Sequence, residues 1–341
     1  MTDHYQTLAD TAMALVAPGK GILAIDESSG TIKKRFDGVG VENTEENRLD
    51  YRSMMLTTEG LGDYISGAIL FDETIRQVMP DGTPLVKVME QAGIIPGIKV
   101  DAGAKDLAGF PGEKVTEGLD GLRERLAEYA KLGARFAKWR AVITIGDDIP
   151  SRGCIEANAH ALARYAALCQ EAGIVPIVEP EVLMDGDHDL DTSFDVTEAT
   201  QKALFAELYE QNVMLEGTIL KASMVISGSE ASDRADINQV AEATVDCLLN
   251  AVPAATAGVV FLSGGQGDVE ATAHLDAMNK MGEMPWPLSF SYGRALQAEA
   301  LAHWAKDPKG NRAEAQAIML HRSRMNGLAS LGEWSEEEEN Q

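Results

Sequence analysis

Lys221 closes the apolar part of GTILKASMV, residues 217–225, where Ile219 and Leu220 call for another buried side chain. A strongly hydrated ammonium at the end of such a run costs free energy unless chemistry uses it. A neutral lysine amine adds to a ketone, loses water and becomes an imine, which then withdraws electrons from the neighbouring carbon. Burial and nearby cations both favour the neutral amine, and Lys138 and Arg140 in FAKWR are expected to supply the cations. Loss of water needs a carboxyl group that gives and takes protons, a part that Glu179 fits. Asp26, in GILAID, can take the proton from a substrate hydroxyl while a carbon–carbon bond breaks.

Two groups of residues suit anions. SGGQG, residues 263–267, follows an apolar run and can present backbone N–H groups to a phosphate, with Lys221 and Arg294 on adjacent strands. Ser28, Thr31 and Arg35 in DESSGTIKKR form a second group, expected on the opposite side with Lys99 facing it. Two phosphate pockets about an imine-forming lysine suggest a bisphosphorylated ketose cut in its middle.

The elements that must carry these residues are legible as eight short apolar runs. They are 21–26, 64–71, 93–100, 135–142, 173–180, 214–221, 258–264 and 287–293. Helical spacing fills the intervals, as in DGLRERLAEYAKLG, where Leu122, Leu126 and Tyr129 share a face and Gly133 supplies the stop. Two further helices are expected to stop at Gly173 and Asn212, with a strand starting at once. Strands alternating with helices predict a parallel sheet, and eight is the number that closes a (β/α)8 TIM barrel. An open doubly wound sheet is the alternative, but no G-x-G-x-x-G follows the first strand.

In such a barrel the C-terminal strand ends form the active site. Those ends carry Asp26; Lys99 and Asp101; Lys138 and Arg140; Glu179 and Glu181; Lys221; Ser263 with Gly264 and Gly265; and Ser291 with Arg294. Lys138/Arg140 and Glu179/Glu181 are i, i+2 pairs, so each pair shares one face of its strand. Buried ion pairs plugging the barrel mouth would account for any one of them. A plug needs matched charges, however, and the surplus of lysines and arginines beside a Ser-Gly-Gly turn implies a bound anion.

The composition bounds the rest. The 341 residues are 45% hydrophobic and 24% charged, with no apolar run long enough to span a membrane and no secretory signal in MTDHYQTLAD. A net charge of −25 argues against nucleic acid or an anionic membrane as partner. Three scattered cysteines (Cys154, Cys169, Cys247) point to a reducing setting rather than a disulfide framework or zinc cluster. No linker divides the chain, so residues 1–330 are expected to form one barrel domain. Residues 331–341, ending in EEEENQ, are expected to be a solvated acidic tail.

Taken in order, APGKGILAIDES, ENTEENR, GIKVDAG, FAKWR, EAGIVPIVEPE, DGDHDL, LEGTILK, FLSGGQ and SFSYGRALQ make the chain resemble a class I fructose-1,6-bisphosphate aldolase from about residue 5 to 330. The resemblance implies that Lys221 forms the Schiff base and that Glu179 donates and accepts protons, with Glu181 and Lys138 assisting. It implies that Asp26 acts at the carbon-4 hydroxyl. Ser263, Gly264, Gly265, Ser291, Gly293 and Arg294 would hold the phosphate on carbon 1. Ser28, Thr31, Arg35 and Lys99 would hold the other, with Arg140 nearby. It further implies metal-free chemistry without a cofactor, a cytoplasmic homotetramer, and a place in glycolysis and gluconeogenesis.

Two departures stand out. The family's usual Pro-Asn-Met after the lysine is here Ala222-Ser223-Met224, and where many members are expected to carry a longer tail with a terminal tyrosine, the last tyrosine here is Tyr292. Three rivals are weighed against this reading. DGDHDLD (185–191) places His188 among carboxylates as a metal-dependent aldolase would need, but such a run is more often a solvated loop of turn-forming Asp and Gly. A transaldolase or single-phosphate aldolase needs only one phosphate pocket. A scaffold that kept the fold without the chemistry has no reason to keep every catalytic position filled.

Overall fold

The computed structural model describes residues 2–340. Strands β1 (Gly21–Ile25), β2 (Ile65–Leu70), β3 (Ile95–Lys99), β6 (Phe136–Ile143), β7 (Val175–Val182), β8 (Ile219–Ala222), β9 (Gly258–Phe261) and β10 (Leu288–Tyr292) form a closed barrel. A short antiparallel hairpin, β4 (Ala104–Asp106) and β5 (Lys114–Thr116), lies between β3 and β6 in the chain. All barrel pairings are parallel, and β1 closes against β10. Each barrel strand coincides with an apolar run in the sequence. The runs are continuous rather than alternating because helices cover the outer face and side chains fill the inner one.

Among the described residues two large clusters of apolar side chains result, beside a small one of Ile143, Ile145, Cys154 and Val182. Inside the barrel, Ile22, Ile69, Phe136, Val175, Ile177, Ile219 and Val260 pack together, with Leu8, Leu15 and Val16 closing the N-terminal end. Phe136 is fully buried there, which contributes about 2–3 kcal/mol. Its ring needs space that only glycine leaves: a Cβ at Gly97 would sit 2.2 Å from the Phe136 ring. The second cluster fills the layer between barrel and helices around Phe36, Tyr51, Trp139 and Trp304.

The helical spacings translate into helices at Leu122–Leu132, Arg152–Glu171 and Leu190–Glu210. Gly133, Gly173 and Asn212, at the expected stops, adopt positive φ of 106°, 74° and 54°. The hairpin was not foreseen, because its strands are three residues each and largely exposed, so no apolar period marks them. β7 also extends to Val182, placing Glu181 within the strand, and residues Leu215–Gly217 form a 3₁₀ turn rather than the start of β8.

The acidic tail, exposed at Glu333, Ser335, Glu336 and Glu337, is docked in part. Ser335 caps a short helix, Glu336–Glu339, whose carboxylates meet the basic side of the helix Arg312–Ala329. Arg322 pairs with Glu339, and Arg324 pairs with Glu338 at 2.6 Å. The Trp334 indole N–H donates to Glu339 (2.9 Å), and its backbone N–H donates to Asp276 (3.0 Å). Composition alone could not reveal this, since the partners lie over ten residues upstream. Ending the chain after Leu331 leaves the buried Arg322 guanidinium without its carboxylate and is expected to cost about 2 kcal/mol. Thermal unfolding of the truncated chain checks this, and an unchanged Tm contradicts it.

Candidate active site

A cavity of about 450 Å³ opens at the C-terminal end of the barrel. It brings together Asp26, Ser28, Thr31, Arg35, Lys99, Lys138, Arg140, Glu179, Glu181, Lys221, Ser263, Gly264, Ser291, Gly293 and Arg294, all singled out in the sequence. Gly265 stands just outside the lining, at φ 110°, where an added Cβ would lie 3.7 Å from the Arg294 guanidinium.

Alternation along β6 and β7 explains the convergence. Register places Arg140 beside Glu179 and Val142 beside Glu181, so the charged residues of both strands face inward at successive levels. Across the barrel, Lys138 Nζ lies 2.7 Å from Asp26 and 3.3 Å from Glu179. Lys221 Nζ lies 3.2 Å from the other Glu179 oxygen. Glu179 and both lysines are almost completely buried. Arg140 pairs with Glu181.

This corrects one expectation. Lys138 and Arg140 are not bare cations turned toward Lys221, because Asp26, Glu179 and Glu181 engage them. The charged group nearest Lys221 is a carboxylate. Burial alone would raise Asp26, but the charges of Lys138 and Lys221 outweigh it and hold the carboxyl well below the usual range. Glu179 is likewise lowered, with burial opposed by Lys138, Lys221 and Arg140. Lys138 is raised: burial works against its charge, and Asp26, Glu179 and Asp101 more than reverse that. Asp26, Glu179 and Lys138 therefore stay charged at neutral pH.

A second correction concerns the two anion-binding groups. Because β1 pairs with β10, the helix Ser29–Val39, which bears Thr31 and Arg35 and is preceded by Ser28, adjoins Gly293 and Arg294 instead of lying opposite them. An added Cβ on Gly293 would come within 3.8 Å of the Arg35 guanidinium. Lys99, on β3, is held 3.5 Å from Asp101. The Ser291 hydroxyl is buried without a hydrogen-bond partner beside the Ser263-Gly264 turn, where φ at Gly264 is 62°.

Glu27 and Lys34 also line the cavity and were missed. Lys34 was findable, since Thr31, Lys34 and Arg35 are three and four apart and share a helix face. Glu27 was not. It pairs with Arg35 and, at 3.7 Å, with the buried Arg52, while the Gln297 amide donates to it at 3.2 Å. Arg35 is on the next helix, but Arg52 and Gln297 come from elements farther along the chain, and nothing in the sequence shows that all three converge on Glu27.

Among the described residues, no group of three or more His, Cys, Asp or Glu side chains could hold a metal ion. His188 sits in the loop just before the helix Leu190–Glu210, and burial lowers its pKa despite the charges of Asp189 and Asp187.

The model of the class-I fructose-bisphosphate aldolase family matches residues 7–341. A probable class 1 fructose-bisphosphate aldolase of Xanthomonas campestris is 68% identical over 96% of this chain and 98% of its own length. Fructose-bisphosphate aldolase 1 of Toxoplasma gondii is 53% identical over 96% of this chain and 90% of its own length. Among solved structures, Plasmodium falciparum fructose-bisphosphate aldolase, in complex with TRAP and a small-molecule inhibitor, superposes with a TM-score of 0.97 at 47% identity. It covers 98% of this chain and 97% of its own.

Proposed function

The chain belongs to the class-I fructose-bisphosphate aldolase family, and we propose that Lys221 is the lysine through which it works. The reaction is reversible aldol cleavage of fructose 1,6-bisphosphate to dihydroxyacetone phosphate and glyceraldehyde 3-phosphate through a Schiff base. The observation that carries the assignment is the Lys221–Glu179–Lys138–Asp26 chain of contacts on the cavity wall.

The neutral Lys221 amine adds to the carbon-2 carbonyl. The nitrogen gives up a proton and the oxygen gains one, forming a carbinolamine. Glu179, ionised at rest and 3.2 Å from Lys221, takes up the proton that Lys221 sheds in becoming the neutral amine and delivers it to the departing hydroxyl, which leaves as water while the nitrogen lone pair closes the iminium. Glu181 and Lys138 assist by holding the surrounding charges in place. Asp26, kept ionised by Lys138, takes the proton of the carbon-4 hydroxyl. The carbon 3–carbon 4 bond then breaks, its electron pair moving into the iminium to give an enamine while glyceraldehyde 3-phosphate departs. Protonation at carbon 3 and addition of water release dihydroxyacetone phosphate and restore the amine.

The ends of the substrate are assigned by charge. Ser263, Gly264, Gly265, Ser291, Gly293 and Arg294 take the phosphate on carbon 1, an assignment supported by the unpartnered Ser291 hydroxyl. Ser28, Thr31, Arg35 and Lys99 take the other phosphate, with Arg140 alongside and Lys34 added to the set. A cytoplasmic homotetramer is part of the same reading and rests on the family resemblance alone.

Borohydride trapping tests the assignment. With dihydroxyacetone phosphate and excess chelator present, reduction is expected to fix one adduct, on the peptide containing Lys221. An adduct elsewhere, or none, overturns it.

A further inference from the structure

β7 and β8 are in register only at Ile177↔Ile219 and Val178↔Leu220, although β7 runs on to Val182. On its other side β8 stays paired with β9 through Lys221↔Val260 and Ala222↔Phe261. The pairing thus ends on the β7 side at the level of Glu179 and Lys221, whose charged groups face each other at 3.2 Å. Just beyond, a side chain closes the seam. The Val182 N–H donates to the Ser223 hydroxyl at 3.0 Å, and that hydroxyl donates to the Val182 carbonyl at 3.1 Å.

We propose that Ser223 is a positioning residue for imine formation: its hydroxyl bridges the Val182 N–H and C=O and fixes the spacing of Glu179 and Lys221 across the open seam. The inference rests on the reading of Lys221 as the imine lysine and Glu179 as its proton shuttle. Ser223 is 6% exposed, so its two bonds satisfy backbone groups in a dry setting. A hydroxyl is suited to the place because it donates and accepts at once. The far edges of the two strands are held independently, by Leu183 N–H to Ile143 carbonyl at 2.9 Å and by Leu262 N–H to Ala222 carbonyl at 3.0 Å. Removing the hydroxyl therefore loosens the seam between Glu179 and Lys221 while each strand keeps its outer neighbour. A misplacement of about 1 Å between reacting groups costs up to about 10²-fold in rate. This also gives the serine of Ala222-Ser223-Met224 a task of its own.

The test compares S223T and S223V, which share a shape and differ in the hydroxyl, with S223A as a smaller control. Three quantities are read: kcat and KM on fructose 1,6-bisphosphate, the rate of borohydride-trapped adduct on Lys221, and affinity for a hexitol 1,6-bisphosphate, which has no carbonyl. S223V and S223A are expected to lose about tenfold or more in kcat and trapping rate while hexitol affinity stays within about twofold. S223T is expected to stay within about threefold of the unaltered chain. If S223V does not fold, S223A must show the same split. Trapping on Lys221 at full rate in S223V or S223A overturns the role of Ser223 alone, as does hexitol affinity that falls in step with kcat. An unaltered chain that forms no adduct on Lys221 overturns the reading of the lysine, and the role of Ser223 with it.

Discussion

Lys221→Met is expected to lower kcat by at least about 10⁴-fold while leaving affinity for a hexitol 1,6-bisphosphate within a few-fold of the unaltered chain. Methionine nearly conserves the volume of this buried side chain, so the barrel should keep its packing. What disappears is the amine. Without it no iminium forms, and the electrons of the breaking carbon 3–carbon 4 bond have nowhere to go. The residues proposed to hold the phosphates lie after β1, β9 and β10, with Lys99 on β3 and Arg140 on β6, and none of them is on β8, which carries Lys221. Glu179 keeps Lys138 as a counter-charge at 3.3 Å, so its carboxylate is not left alone. Steady-state kinetics and calorimetric titration check the two halves separately. Appreciable turnover by the variant would remove Lys221 from the chemistry; loss of hexitol binding would mean that the pocket itself had collapsed.

Lys138→Met should be nearly as damaging, for an electrostatic reason that gives it a pH signature. Lys138 is the shared counter-ion of Asp26 and Glu179. Removing one member of a buried ionic cluster leaves uncompensated charge, here worth about 3 kcal/mol of stability at neutral pH. In the unaltered chain both carboxyls are held low. A carboxyl whose folded value is depressed contributes stability above its unfolded value, near 4, and loses it as pH falls through the folded value. In the variant, burial acts with much less opposition and both carboxyls shift upward. Charging them then opposes folding, so the stability gap between the two proteins is widest near pH 7 and narrows on acidification. The same shift moves the acid limb of the activity profile to higher pH, because Asp26 accepts the substrate proton only when ionised. We expect kcat at pH 7 to fall by about 10²–10⁴-fold, the contribution of a positioned acid–base group. Unfolding at pH 5 and pH 7, with kcat across that range, is the check. A gap that is constant with pH would show that Lys138 acts through packing rather than charge.

Much of this was legible before any fold was known, because parallel barrels write themselves plainly. Strands buried on both faces read as unbroken apolar runs, and a charged residue at the end of one stands out against them. Lys221 after Ile219 and Leu220 is such a case, and so are Lys138 with Arg140 and Glu179 with Glu181, whose spacing of two fixes a common face. Where the sequence was silent, the determining contacts were remote. Glu27 is defined by Arg35, Arg52 and Gln297, the last 270 positions away. The acidic tail reads as solvent-seeking until Arg322 and Arg324 are seen beneath it.

Which residues could do chemistry, and which elements carry them, is thus a property of the sequence, since residue type and period are local quantities. Who faces whom is not. Closure of β1 on β10 made neighbours of two anion-binding groups that chain order had set apart. The fold also brought Asp26 across the barrel to Lys138 and set Glu179 between two lysines. Charges of opposite sign at about 3 Å in a buried site govern one another's protonation far more than neighbours in sequence do, and only the closed barrel supplies that distance.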